Sequence, residues 1–191
     1  MSQGLTTVKT GEVARELAGA TSRLFEILGF WAGQADRSDI AVSLATASRH
    51  MGWHADDLAG LEPDSVLLAA ETEDSEPDAE PSSPIDAALD AIRATPGSIE
   101  RLAIAHRVLL GRLAAGCVAV ERMTASHADA PLARVIGFIQ SDLRRDRDEG
   151  EALIERLISD VAAVERVGAA VTDAERRLVA AGGLLPVTLE V

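Results

Sequence analysis

Tyrosine is absent from the 191 residues, and three phenylalanines and two tryptophans are the only aromatics. That excludes a surface on which bases stack between aromatics and basic side chains. One cysteine, Cys117, excludes an internal disulfide framework and a cysteine-based zinc site. Basic residues are few, 18 Lys and Arg against 31 acids, and the formal charge is −13. A nucleic-acid partner needs clustered cations, and an anionic membrane surface attracts them, so neither is expected. The N-terminal stretch lacks the apolar centre of a signal peptide. No apolar run is read as approaching the ~20 residues that span a bilayer. A soluble, cytoplasmic protein is expected. Strand patterns, phosphate-binding glycine loops and a Gly-x-Ser-x-Gly elbow are also missing.

Helical periodicity is what remains, and there is a great deal of it. A first helix is predicted from about Val8 to Gly33, with Thr10 as its cap. Its seam is Val13, Leu17, Ala20, Leu24, Ile27 and Trp31. A second runs from about Asp39 to Leu61, carrying Ile40, Leu44, Ala47, Met51, His54 and Leu58. Pro63 stops it, and residues 62–84 follow with eight acids, no bases and four prolines. Such a stretch buries too little apolar surface to offset its ordering entropy and reads as a mobile loop. It also carries most of the chain's net charge.

A short helix is predicted over Ile85–Ala94. A third long one, capped by Ser98, covers Ile99–Met123 with Leu102, Ala105, Leu109, Leu113, Gly116 and Val120 as its seam. The fourth runs from Pro131 to Ile158, and a fifth from Val161 to Ala181. Val161, Val164, Val167 and Val171 would let the fifth cover the others or meet a partner. Seventeen arginines against one lysine, with abundant alanine, is the usage of a high-GC bacterium. The whole chain, 1–191, reads as one all-α domain. Its four long helices form a bundle in which a long crossover joins the second to the third.

Polar groups interrupt two of these seams. The fourth helix places Asp142 and Asp146 at i and i+4, where neighbouring turns place aliphatics. The second places His50 and His54 at i and i+4. Each pair lies about 12 to 16 residues, roughly 18–24 Å, from its own hairpin turn. With the turns at opposite ends, the two pairs meet near mid-height, and His106 lies about one turn away. A carboxylate in a core costs several kcal/mol unless it is paired, neutralised or bound to a metal.

Residues 47–58, ASRHMGWHADDL, and 129–153, DAPLARVIGFIQSDLRRDRDEGEAL, resemble the ferritin-like superfamily, closest in texture to small actinobacterial members. The likeness covers roughly residues 8–160. It implies a ferritin-like four-helix bundle with an additional C-terminal helix, and pairing of two copies through helical faces. It also implies an oxidoreductase or hydroxylase acting on a small organic molecule. The chain departs from the family's ligand pattern. Met51 stands three residues before His54 where Glu is usual, Arg145 stands three after Asp142 where His is usual, and the first seam has no Glu. A carboxylate-bridged di-iron centre is therefore not expected. A rearranged single site of His50, His54, Asp142 and Asp146 suits iron, manganese or zinc. His106 or Glu149 would then move protons beside it.

Three other readings of the same residues stay open. The aspartates pair structurally with Arg49, Arg107, Arg144 or Arg145. Alternatively, a histidine and an aspartate form a metal-free acid–base couple. In the third, the bundle is non-catalytic and serves as an interaction or scaffold protein. Trp31 and Trp53 could line an apolar pocket. Cys117 reads as a packed thiol, His127 as solvated in a turn, and residues 143–149 as an exposed charged face apart from Asp146.

Overall fold

A computed structural model describes residues 5–61, 83–125 and 129–185. The acidic segment, with Pro63, and His127 therefore lie outside the described residues, apart from Ser83 and Pro84 at the segment's end. Among the described residues there are six helices and no strand. They are α1 (Thr7–Gln34), α2 (Ser38–Ala59), α3 (Pro84–Arg93), α4 (Ser98–Met123), α5 (Ala130–Leu157) and α6 (Val161–Ala180).

The apolar seams explain which faces turn inward. All six seam residues of α1 are buried, as are all six of α2. Full burial of a Leu or Ile contributes about 1.5–3 kcal/mol, so these two stripes alone drive the hairpin together. Ser48 adds a polar tie, donating from Oγ to the Phe25 carbonyl at 2.8 Å. Helix starts differ by a few residues from the sequence reading. The cap of α1 is Thr6, whose hydroxyl accepts from the Lys9 N–H. Thr10 sits a turn inside, its hydroxyl 3.0 Å from the Thr6 carbonyl and 3.2 Å from Asp129. Asp129, itself buried, also accepts from the N–H groups of Ala125 and Leu5, tying the start of α1 to the α4–α5 link. At α4 the capping position is Gly97 rather than Ser98. Gly97 has φ +85°, a left-handed conformation that glycine adopts without strain.

α2 runs antiparallel to α5, and α5 antiparallel to α4. α6 lies alongside α4 in the same direction, joined by the Arg112–Glu175 and Arg166–Glu100 ion pairs. Its valine stripe is only half used: Val167 is buried, Val171 partly so, and Val161 and Val164 face outward. α3 buries Leu89 and Ile92, and its last residue accepts a hydrogen bond from the Trp31 indole. Trp31 is thus a core residue, while Trp53 is 55% exposed beneath the Arg49 guanidinium. Cys117 is buried, and burial pushes its thiol up to about 12.

Two features of α4 correct the sequence reading. By length and composition Ser98–Met123 is apolar enough to cross a membrane, and more than half of its most apolar stretch is buried among the other helices. It is also not a uniform α-helix, because Ile104–Leu109 forms a π turn.

Candidate functional site

The site begins at the seam between α2 and α5. Antiparallel packing means that four residues up α2 match four residues down α5. His50 therefore faces Asp146, and His54 faces Asp142. His50 directs Nδ1 at both carboxylate oxygens of Asp146, at 2.8 and 3.1 Å. His50 is 8% exposed and Asp146 4%. The second pair is looser. His54 Nε2 lies 3.2 Å from Asp142 but outside hydrogen-bonding geometry, and both ring nitrogens lack a partner among the described residues. Asp142 is the outer of the two acids, half-buried where Asp146 is buried.

The arginines considered as partners are used elsewhere or stay on the surface. Arg107 forms a two-pronged contact with Glu151, Arg49 covers Trp53, and Arg144 and Arg145 are exposed. Among the described residues no three His, Cys, Asp or Glu side chains converge closely enough to hold a metal ion. The four expected ligands for iron, manganese or zinc are arranged as two separate His–Asp couples. The donor set does not fit a single ion, and no step is assigned to one.

His106 comes from the π turn. A π turn adds a residue to one helical turn and is frequent where a side chain must be re-aimed. Here the imidazole is driven against α5 at Gly150. A methyl on Gly150 would fall 2.2 Å from His106 Cγ, so only glycine leaves room for the ring. The backbone is held as well, because Arg147 donates from Nε to the His106 carbonyl at 3.2 Å. On the other side of the ring, Nε2 lies 3.1 Å from the Ser43 hydroxyl of α2. Nδ1 makes no well-formed hydrogen bond, although the Asp146 backbone carbonyl lies near enough to favour the charged ring weakly.

Burial sets the protonation of these groups. It pushes His106 down to about 4, against an opposing pull from Glu151, so the ring is neutral at neutral pH. His54 is also lowered by burial, with Asp142 opposing. The Asp146 carboxyl is raised by burial, and the hydrogen bond from His50 offsets part of that rise. An acid kept above its usual range, in a wall shared with the neutral His106 ring, is poised to give or take a proton.

His106 and Asp146 open onto a pocket of about 540 Å³ between α2 and α5. That size falls within the ~300–1,000 Å³ typical of small-molecule sites. Ser43, Thr46, His106 and Asp146 line it, with Asp39, Glu149 and Arg156 contributing charge. Val42, Ala152 and Leu153 give it an apolar wall. The pocket brings together His106, Glu149 and Asp146 from the sequence-derived set. His50 does not line it but holds Asp146, and His54 and Asp142 lie outside it.

Ser43, Thr46 and Arg156 join the site without a counterpart among the residues the sequence singles out. Ser43 precedes His50 by seven residues, two helical turns, so the spacing that selected the histidines would also have placed it on their face. No protein-family model, curated protein or solved structure matches this chain.

Proposed function

We propose that this protein binds a small organic molecule in the α2–α5 pocket and carries out metal-free proton transfer on it. Asp146 is the group that exchanges the proton. His50 is a positioning residue, fixing the carboxyl from behind and limiting the rise that burial imposes. Glu149 at the pocket edge passes protons to and from water. The observation that carries this reading is the placement of one buried carboxyl, bonded to an imidazole on its far side, in the wall of a ligand-sized cavity. The fold that presents it is read as a ferritin-like four-helix bundle of α1, α2, α4 and α5, in which a long crossover joins α2 to α4. The antiparallel pairings of α1 with α2 and of α4 with α5 support that reading.

The test is a methyl NMR screen of the full-length protein against small amines, alcohols and carboxylic acids. Binders should shift the methyls of Val42 and Leu153 and lose at least tenfold in affinity in Asp146→Asn. Absence of any binder at millimolar concentration, or binders that perturb only other faces, overturns the reading.

A further inference from the structure

We propose that Ser43 is a nucleophile activated by His106, and that the same pocket cleaves small uncharged or cationic carboxylic esters by acyl transfer. This uses the pocket of the preceding reading but does not depend on proton exchange by Asp146.

The geometry is that of a nucleophile with its base. Ser43 Oγ and His106 Nε2 are 3.1 Å apart, within the reach that proton abstraction requires. Both line the pocket, so an acyl carbon placed there meets the hydroxyl directly. The imidazole cannot swing away. Gly150 receives its flat face, Arg147 holds its backbone carbonyl, and the Arg107–Glu151 pair anchors the adjacent residue to α5. The ring is neutral at working pH, leaving Nε2 free to accept a proton when Nδ1 carries the hydrogen.

Donors for a developing oxyanion are also present. Thr46 lies one turn beyond Ser43 on α2, and Arg156 reaches the pocket from α5. Neither has a partner among the described residues. The pocket's charge selects the substrate. Asp39 is neutralised by its two-pronged contact with Arg37, and Asp146 and Glu149 still outnumber Arg156, so anionic esters are disfavoured.

The chemistry closes without a further reagent than water. Ser43 Oγ bonds to the ester carbonyl carbon while its proton moves to His106 Nε2. The tetrahedral intermediate collapses, the bond to the leaving oxygen breaks, and that oxygen takes the proton from Nε2 as the alcohol departs. Water then attacks the acyl-serine, giving a proton to Nε2. Collapse returns that proton to Ser43 and releases the carboxylic acid.

The experiment treats the full-length protein with a small alkyl fluorophosphonate and, separately, with p-nitrophenyl acetate, and reads adducts by intact mass and peptide mapping. The expected result is a single adduct at Ser43, absent in Ser43→Ala and formed at least tenfold more slowly in His106→Gln. In Ser43→Cys, iodoacetamide should alkylate the introduced thiol, and His106→Gln should slow that reaction at least fivefold. The buried Cys117 should stay unmodified throughout.

No adduct under tenfold probe excess overturns the proposal. So does labelling at another residue, or a His106→Gln protein that labels as fast as the parent while remaining folded by circular dichroism. Ligand binding in the NMR screen without a Ser43 adduct would reject only the nucleophile. A Ser43 adduct without Asp146-dependent binding would reject only the proton-transfer reading.

Discussion

Acid should destabilise this protein through His106 in particular, and the size of the effect follows from its burial. The folded ring titrates at about 4, against an ordinary value of 6.5 that the unfolded chain recovers. The pKa is lowered on folding, so the unfolded state binds the proton first. The stabilising contribution is therefore fully present above pH 6.5, declines as pH falls from 6.5 towards 4, and levels off below. Between pH 7.5 and 5.0 the linkage relation gives a loss of about 2 kcal/mol from this one group. The charged groups around the ring pull in opposite directions, Glu151 raising it and Arg147 lowering it, so desolvation dominates. Asp146 and Glu149 from α5 and Asp39 from α2 share the pocket wall and are present in parent and variant alike.

His106→Gln supplies the control, because an amide keeps a hydrogen-bonding partner for Ser43 yet does not titrate. Urea denaturation at pH 7.5 and 5.0 should show the parent losing about 2 kcal/mol more than His106→Gln. Equal losses in both proteins would refute the claim that this imidazole is held neutral by burial.

Gly150→Ala puts a methyl 2.2 Å from His106 Cγ. It should cost about 1–3 kcal/mol in thermal or urea denaturation, as overpacking does. It should also break the contact to Ser43, visible as a change in the His106 ring ¹⁵N shifts. For the inner couple, His50→Leu or Asp146→Leu alone should each cost about 1–3 kcal/mol by stranding the partner in the core. The double replacement by leucine should recover most of that loss, since replacing both partners of a buried polar contact by apolar groups is close to neutral. A double variant as unstable as the sum of the singles contradicts the assignment.

Much of this site is written in helical periodicity. His50 and His54 on one seam and Asp142 and Asp146 on another, at matching distances from their turns, predict the antiparallel couples that form. The difference in depth between the aspartates was not legible. Four residues overshoot a whole helical turn slightly, and that drift turns Asp142 towards solvent while Asp146 stays in. The π turn was hidden for a different reason. Ile104, Ala105, Val108, Leu109 and Leu110 are all buried. With aliphatics on either side of Arg107 around this turn, the register can slip without exposing one of them, so the pattern records no break. Ser43 is silent in the sequence, because a lone hydroxyl on a seam gives no signal until an imidazole from another helix arrives beside it.

The most direct measurement of the central claim is the carboxyl ¹³C titration of Asp146, free and saturated with a binder from the screen. The account predicts a midpoint above the ordinary carboxylate range in the free protein, raised further in His50→Leu and displaced when ligand occupies the pocket. A midpoint at the ordinary value of about 3.9, unmoved by His50→Leu or by bound ligand, would contradict it.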